Sequence, residues 1–373
     1  MKRKTMIMAA AGAMMIASGA AKADILIGFQ GPLTGSNAAF GDQMKRGFDQ
    51  AVKDINAAGG VLGQKLSPNA QDDACDPKQA VAAANKLASA NVVFVDGGFC
   101  SGSSIPASAV YADAGILQIS PASTNPALTD DAAKKGWNNV YRVCGRDDQQ
   151  GGVAGAYLAA HFKSKPIAII DDKSTYGKGL ADETRKTLNK AGVKEAMDEQ
   201  ITAGDKDFSA LISKMKAKHI AAIYFGGYVT EAGLITRQAN EQGLKAVLMS
   251  GDSMPTQDFW QITGSAGSGT LFTFNPDPMA SPSAKKIVDE FSAGGFKPEG
   301  YTLYSYATVQ IFAQAATAAK STKLTDVAKK MHSMTFHTVL GDIKFDKKGD
   351  PMGSGYVVWE WGNGSYAMLP KQG

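Results

Sequence analysis

Residues 92–104 have the sequence VVFVDGGFCSGSS, in which an apolar run leads directly into a loop rich in glycine and serine. A short apolar run bounded by turn residues predicts a strand that is buried on both faces. We predict that a helix follows the loop and runs through Tyr111. A buried strand that turns into a helix is the basic unit of α/β proteins, which bind ligands at the carboxyl ends of their strands.

The same alternation of strands and helices continues through most of the chain. Predicted strands lie at residues 25–29, 92–95, 116–119, 167–170, 221–225 and 246–249, and predicted helices at residues 42–57, 80–90, 151–162, 177–191, 208–216 and 231–242. This order predicts parallel sheets that are covered by helices on both faces. After residue 270 the pattern changes to two helices, at residues 282–291 and 304–319, and a strand-rich end.

Length and composition limit the class of protein. The chain has 373 residues, of which 44% are hydrophobic and 20% are charged, and 41 residues are glycine. At about 100–200 residues per domain, this length predicts two domains or three small ones. The composition excludes a mostly disordered, collagenous or coiled-coil chain. The high glycine content favours an α/β protein with many turns between strands and helices.

Residues 1–23 have the features of a secretory signal peptide. A Lys-Arg-Lys start precedes a short apolar run and Ala21-Lys22-Ala23, a cleavage pattern that predicts a mature chain beginning at Asp24. The apolar run is too short to span the roughly 30 Å of a bilayer core. These residues supply four positive charges and no acid, so the formal net charge of +4 falls to zero in the mature chain. We therefore expect a soluble periplasmic protein that binds neither nucleic acid nor an anionic membrane.

Export bears on the three cysteines, Cys75, Cys100 and Cys144. An oxidising compartment permits one disulfide, which leaves one free thiol. A bridge between Cys75 and Cys100 closes a loop of about 26 residues, to which the chain-entropy model assigns roughly 3.5 kcal/mol. The residues by themselves do not identify the bonded pair.

Five loops at predicted strand ends share one chemistry. They are residues 97–104, 120–124, 173–177, 226–228 and 250–253. The first two offer hydroxyls and backbone amides at helix starts, which suit an anion such as a carboxylate. The other three offer two tyrosines and the acid Asp252. Together these groups suit a small zwitterion with an apolar side chain, although a serine at a helix start is also a common N-cap.

An enzymatic alternative rests on Gly98-Phe99-Cys100-Ser101-Gly102. This stretch matches the nucleophile elbow of α/β-hydrolases with cysteine as the nucleophile. Such an enzyme also needs an acid and a later histidine, and none of the four histidines lies in a predicted strand-end loop. The sequence has no zinc-ligand spacing, Walker lysine motif or dinucleotide fingerprint. We therefore predict no catalytic residue, no metal and no cofactor.

Five further stretches carry a resemblance to a known family: Phe40-Gly-Asp-Gln, Asp54-Ile-Asn-Ala-Ala-Gly-Gly, Asp72-Asp-Ala-Cys-Asp-Pro-Lys-Gln-Ala-Val, Ile201-Thr-Ala-Gly-Asp-Lys-Asp-Phe and Phe225-Gly-Gly-Tyr228. The chain resembles the Leu/Ile/Val-binding proteins, the periplasmic receptors of branched-chain amino acid ABC importers, over essentially its whole mature length. The resemblance implies a type I periplasmic binding protein fold, an α/β fold of two lobes. Each lobe is expected to be a parallel sheet flanked by helices.

The resemblance also implies how the chain divides between the lobes. Lobe 1 is expected to contain residues 24–145 and 276–350, and lobe 2 residues 146–275 and 351–373. Three hinge crossovers are expected near residues 145–147, 274–276 and 350–353.

The resemblance assigns roles to individual residues as well. Ser101 matches the hydroxyl that holds the ligand α-carboxylate, and Ala122 and Thr124 match positions that hold both charged groups. The other implied contacts are Tyr228 and Asp252 near the ammonium group, Tyr176 and Tyr301 as aromatic walls, Phe99 and Cys100 in the side-chain pocket, and Phe40 at the cleft rim. Cys75 and Cys100 match the family's disulfide positions, which leaves Cys144 as the free thiol.

Two of these positions depart from the family. Asp252 replaces a glutamate, so its carboxylate extends about one carbon less far toward the ammonium group, and Phe40 replaces a tyrosine. Both changes keep charge or shape, so α-amino-acid binding is still expected, but the preferred amino acid does not follow.

The implied function is a non-catalytic receptor. We expect it to bind a free amino acid, first of the Leu/Ile/Val class, by hinge closure, and to contact ABC permease subunits at the inner membrane. The sequence shows no oligomerisation seam, which favours a monomer. Two alternatives stay open: a receptor or sensor of the same fold for another small amino acid, amide or organic acid, and the Cys100 hydrolase.

Overall fold

A computed structural model describes residues 23–353 and 355–370. In this part of the chain the strands are β1 (Ile25–Gly31), β2 (Leu66–Asp72), β3 (Phe94–Gly97), β4 (Leu117–Ser120), β5 (Val140–Arg142), β6 (Ile167–Asp171), β7 (Met197–Gln200), β8 (Ala222–Gly226), β9 (Val247–Ser250), β10 (Leu271–Phe274), β11 (Phe336–Thr338), β12 (Gly341–Ile343), β13 (Val357–Gly362) and β14 (Ser365–Met368). The helices are α1 (Ala38–Ala57), α2 (Pro77–Ser89), α3 (Ser101–Ala114), α4 (Ala127–Lys134), α5 (Asp147–Phe162), α6 (Thr175–Lys190), α7 (Ser209–Ala217), α8 (Val229–Glu241), α9 (Gln257–Thr263), α10 (Lys285–Ala293), α11 (Thr302–Ala319) and α12 (Leu324–Met331). The predicted signal peptide lies outside the described residues, except for Ala23. Within residues 23–353 and 355–370, no helix is both long enough and apolar enough to cross a membrane.

The first sheet is parallel and has the strand order β2-β1-β3-β4-β5. Every residue of β3 and β4 is buried, as expected for strands covered by helices on both faces. The edge strand β2 is not predicted from the sequence, because its residues LSPNAQD are mostly polar and include a proline. An edge strand is paired on one side only, so it tolerates proline and polar side chains.

The second sheet has the order β14-β13-β10-β9-β8-β6-β7. Strands β6 to β10 run parallel to one another, as the alternation of strands and helices predicts. β13 and β14 extend the sheet in the antiparallel direction. The strand-rich carboxyl-terminal segment is therefore part of this sheet and does not form a unit of its own.

The described chain passes between the two sheets three times. It leaves the first sheet after β5, returns after β10, and enters the second sheet again before β13. Between the last two passages, α11 packs against α1 and β3 of the first sheet. Phe94 of β3 and Phe312 of α11 stack there with their ring centroids 4.8 Å apart. Each of the two α/β lobes is thus assembled from separate segments of the chain.

A buried arginine lies beside the first and third passages. Arg142, the last residue of β5, is fully buried, and its Nε donates to the carboxylate of Asp350 at 2.7 Å. Arg146 donates to the other oxygen of Asp350, also at 2.7 Å. A buried charge is stable only when it is paired and hydrogen-bonded. This network therefore fixes the end of β5 against the segment near residue 350.

Candidate functional site

Loops that follow the parallel strands of both sheets meet across a cleft. Asn125, in the loop after β4, donates through Nδ2 to the carbonyl oxygen of Thr175 after β6 at 2.8 Å. Gln43 of α1 donates to the carbonyl oxygen of Pro255 after β9 at 3.2 Å. Both bonds join one lobe to the other. The predicted strand-end loops therefore lie where α/β proteins bind their ligands.

On the first-sheet side, Ser101 begins α3 and is buried. Its hydroxyl accepts a hydrogen bond from the backbone N–H of Asn125 at 3.2 Å. The first N–H groups of a helix lack intrahelical partners, and the helix dipole favours negative charge at that end. A hydroxyl fixed at such a position is suited to contact a carboxylate.

A serine network joins the two loops on this side of the cleft. The hydroxyls of Ser104 and Ser123 lie 2.5 Å apart, and Ser104 accepts from the backbone N–H of Gly98 at 3.0 Å. The hydroxyl of Ser120 donates to the Gly98 carbonyl oxygen at 2.8 Å and accepts from the backbone N–H of Ala122 at 3.2 Å. The network holds the loop of Ala122 and Thr124, which is buried. The sequence predicts these serines as part of the loop chemistry, and their structural role is to position that loop.

On the opposite side, Asp252 follows β9 and is buried. Its carboxylate accepts hydrogen bonds from the hydroxyl of Tyr176 at 2.8 Å and from that of Tyr301 at 2.6 Å. Tyr301 immediately precedes α11 of the other lobe, so the second bond crosses the cleft. Burial raises the pKa of Asp252, and the two tyrosine hydroxyls oppose that rise. A buried carboxylate with two hydroxyl donors is suited to attract a cationic group.

Aromatic rings fill the space between these polar groups. Phe40 and Phe99 stack with their centroids 4.5 Å apart, and the Phe99 ring lies 5.6 Å from Tyr301 and 6.0 Å from Tyr228. Tyr228 lies 5.2 Å from Tyr176. Rings from both lobes are in contact, so this cluster forms an apolar wall beside Asp252. All the aromatic residues assigned to the site are therefore brought together.

The disulfide between Cys75 and Cys100 is confirmed, with the two Cα atoms 5.5 Å apart. Cys144 is buried and free, and its thiol lies 3.6 Å from the carbonyl oxygen of Ser123. Burial raises the pKa of the Cys144 thiol. Because Cys100 is in a disulfide, the elbow sequence has no free thiolate. This observation argues against the cysteine-hydrolase alternative.

One buried residue of the site is not predicted from the sequence. Asp147 is the first residue of α5, and its carboxyl group faces Asp252 and Arg142. Its backbone N–H donates to the carbonyl oxygen of Thr124 at 2.9 Å. An acid at a helix start is ordinarily explained by the helix dipole, so its type and position give no sign of burial. The available signal is its place at the end of the crossover expected near residues 145–147.

Comparisons with known proteins agree with this architecture. A family model described as periplasmic binding protein matches residues 24–365. The chain is 50% identical over 365 residues to the Leu/Ile/Val-binding protein homolog 1 of Brucella suis biovar 1 (strain 1330), and the match covers 97% of each chain. The leucine-binding protein LivK of Thermotoga maritima superposes with a TM-score of 0.85 at 27% identity, covering 93% of this chain and 98% of that one. The branched-chain amino acid transporter substrate-binding protein LivJ of Streptococcus pneumoniae, solved in complex with isoleucine, gives 0.83 at 29% identity, covering 93% and 99%.

Two α/β lobes with a polar and aromatic cleft between them define a ligand-binding protein. The chain belongs to the periplasmic binding protein family. Membership in this family implies an exported, periplasmic protein. Its fold is that of substrate-binding proteins.

Proposed function

We propose that this chain is the receptor of an ABC importer and binds a free α-amino acid of the Leu/Ile/Val class in its cleft. The observation that carries the proposal is a buried carboxylate, Asp252, on one side of the cleft and a buried hydroxyl at a helix start, Ser101, on the other, with the ring of Phe99 packed against that of Tyr228 between the lobes. A carboxylate on one side and a hydroxyl at a helix start on the other match the two charges of a zwitterion. The aromatic wall matches an apolar side chain.

Each part of the ligand then has a place. Ser101 holds the α-carboxylate, and Ala122 and Thr124 contact both the α-carboxylate and the ammonium group. Asp252 and Tyr228 hold the ammonium group from the second lobe. Charge-assisted hydrogen bonds of this kind contribute about 1.5–3 kcal/mol each. Burial of an aliphatic side chain adds roughly 2 kcal/mol. Phe40, Phe99, Tyr176, Tyr301 and the Cys100 half of the disulfide line its pocket.

Ligand binding is coupled to hinge closure in this proposal. Lobe 1 comprises residues 24–145 and 276–350, and lobe 2 comprises residues 146–275 and 351–373, with hinges near residues 145–147, 274–276 and 350–353. A ligand that contacts both lobes stabilises the closed form and shifts the equilibrium toward it. The closed surface is then recognised by the permease subunits. The receptor acts as a monomer without catalysis, after cleavage of the signal peptide behind Ala23.

Calorimetric titration of the mature protein with each of the twenty amino acids tests the proposal. The protein is first unfolded and refolded to remove carried-over ligand. We expect saturable one-to-one binding of leucine, isoleucine or valine. If only other amino acids bind, the receptor function is retained and the assigned ligand class is revised. No binding by a cooperatively folded protein would contradict the α-amino-acid assignment.

A substitution of Asp252 tests the ammonium assignment. Asp252→Asn keeps the shape of the side chain and removes its charge, so it is expected to weaken binding by about 10-fold or more. Asp113→Asn, on the exposed part of α3, is the matched control and is expected to bind as the wild type does. Urea unfolding of both variants shows whether any loss is one of stability. Equal affinity of Asp252→Asn and the wild type would refute the assignment.

A further inference from the structure

Asp147 is a buried acid without a counter-charge of its own. The residue is fully buried, and neither oxygen of its carboxyl group has a hydrogen-bond partner among the described residues. The side chain of Thr124 approaches it without forming a bond of ordinary geometry. The hydroxyl of Tyr356, before β13, is also buried and unpartnered. Buried polar groups in folded proteins are almost always satisfied, so this group of atoms indicates a place for a polar guest.

The charges around Asp147 are unbalanced. The ionisable side chains that face it are Asp252 after β9, Arg142 on β5, the free thiol of Cys144 after β5, Asp148 on its own helix, Tyr176 on α6, Tyr224 on β8, Tyr228 before α8 and Tyr356 before β13. The one cation among them, Arg142, is already bonded to Asp350, to Thr129 and to two backbone carbonyls. Asp148 is exposed and pairs with Arg146 at 3.0 Å.

Asp147 and Asp252 therefore form a pair of buried carboxyl groups. Asp252 accepts two tyrosine hydroxyls, which favour its ionised form. Asp147 has no such donors, and burial together with the charge of Asp252 raises its pKa well above the ordinary range. Two neighbouring buried carboxyl groups ionise as a coupled pair, and the first charge opposes the second. We therefore expect the pair to retain a proton as long as no ammonium group is bound.

We propose that Asp147 is a second carboxyl group for the ammonium group of the ligand, and that ligand binding expels a proton from the Asp147–Asp252 pair. The proposal rests on the function proposed above. In the step, the neutral Asp147 carboxyl loses its proton to solvent, and the resulting carboxylate pairs with the incoming ammonium group. No covalent bond other than this O–H bond changes. In this proposal the hydroxyl of Thr124, which is buried and unpartnered, also contacts the ammonium group.

Proton release has two measurable consequences. The binding enthalpy depends on the ionisation enthalpy of the buffer, because the buffer takes up the released proton. The affinity rises with pH, approaching tenfold per pH unit where one whole proton is released. Both effects depend on the pair, so Asp147→Asn removes them. Asp148→Asn, the adjacent exposed acid on the same helix, is the matched control and keeps both.

The experiment is calorimetry in phosphate and in Tris between about pH 6 and pH 8, where the ammonium group of an amino acid stays charged. The probe is the amino acid that binds most tightly among the twenty. We expect release of on the order of one proton per ligand by the wild type and by Asp148→Asn, and none by Asp147→Asn. A wild-type enthalpy that does not depend on the buffer overturns the inference, even if Asp147→Asn does not fold. Equal release by the wild type and Asp147→Asn also overturns it.

A ligand-free measurement separates failure of this inference from failure of the proposed function. If none of the twenty amino acids binds, the proposed function has failed. The protonated pair can then still be tested without ligand, by comparing proton uptake of the wild type and of Asp147→Asn in a potentiometric titration. A difference between the two curves at neutral pH supports the protonated pair. A difference confined to the range of an ordinary aspartate overturns it.

Discussion

The hydrogen bond from Tyr301 to Asp252 is the shortest polar link between the two lobes at the site. Its length is 2.6 Å, and it joins a hydroxyl of the first lobe to a buried carboxylate of the second. Because the two partners belong to different lobes, the proposed hinge opening is expected to break the bond. Tyr301→Phe removes the hydroxyl and keeps the ring, which still packs 5.6 Å from Phe99. A hydrogen bond to a charged group contributes about 1.5–3 kcal/mol, so we expect the closed form to lose that amount and the affinity to fall by about 10- to 150-fold.

Tyr176→Phe is the matched comparison for Tyr301→Phe. The Tyr176 hydroxyl contacts the same carboxylate at 2.8 Å, but it lies in the same lobe as Asp252. The proposed hinge motion is therefore expected to leave this bond intact, and its loss is expected to lower stability more than affinity. Calorimetry gives the affinities, urea unfolding gives the stabilities, and small-angle scattering with saturating ligand reports closure. An unchanged affinity of Tyr301→Phe, or a larger loss of affinity in Tyr176→Phe, would refute the reasoning.

Two further predictions concern stability. Asp96 of β3 is fully buried, and desolvation raises its pKa from 3.8 to about 8 against hydrogen bonds from Ser305 and Thr308. The contribution of Asp96 to the free energy of unfolding is complete below the unfolded pKa and is lost as pH rises through the folded pKa. In urea unfolding, the free energy of unfolding of Asp96→Asn is therefore expected to decline less between about pH 5 and pH 8 than that of the wild type. A parallel decline in the two proteins would contradict this. Replacing both Cys75 and Cys100 by serine opens the bridged loop and is expected to lower the free energy of unfolding by about 3.5 kcal/mol, with reduction of the wild type as the control. If the double variant is less stable but reduction of the wild type does not lower its free energy of unfolding, the loss comes from changed packing and not from the missing disulfide.

Strands β3 and β6, which are buried on both faces, were predicted correctly, whereas β2, β5 and β7, which are short or polar, were missed. β3 and β6 are runs of buried residues, so their composition is sufficient to identify them. β7 has the sequence MDEQ with one buried residue, and it forms because β6 offers it a free edge. β5 is only three residues long. Such strands depend on their neighbours in the sheet more than on their own residues.

The aromatic wall illustrates a second limit of sequence reasoning. The loops containing Tyr176 and Tyr228 could be selected from their positions at strand ends. Phe40 lies inside α1, where an aromatic residue on the apolar face is usually interpreted as core. Only the resemblance to a family assigned it to the cleft, and the structure places it 4.5 Å from Phe99. Local patterns identify which loops reach the cleft, but they do not identify which helix face closes it.

The contacts of Arg142 explain why Asp147, the site residue that was not predicted, depends on residues far apart in the sequence. Its Nη1 atom donates to the carbonyl oxygens of Ser123 and Asn125 at 2.7 and 3.0 Å, on either side of Thr124. Its Nε atom binds Asp350, which is 208 residues away in the sequence and lies beside the third crossover. The same guanidinium group thus holds the proposed carboxylate-binding loop and the segment of the proposed third hinge in one fixed arrangement. It is also the cation that faces Asp147. The hydrogen bonds of this cation go to four other acceptors, so Arg142 lowers the pKa of Asp147 only through its charge and forms no ion pair with it. In the proposed Asp147–Asp252 pair, the remaining balance of charge comes from a proton or from the ligand.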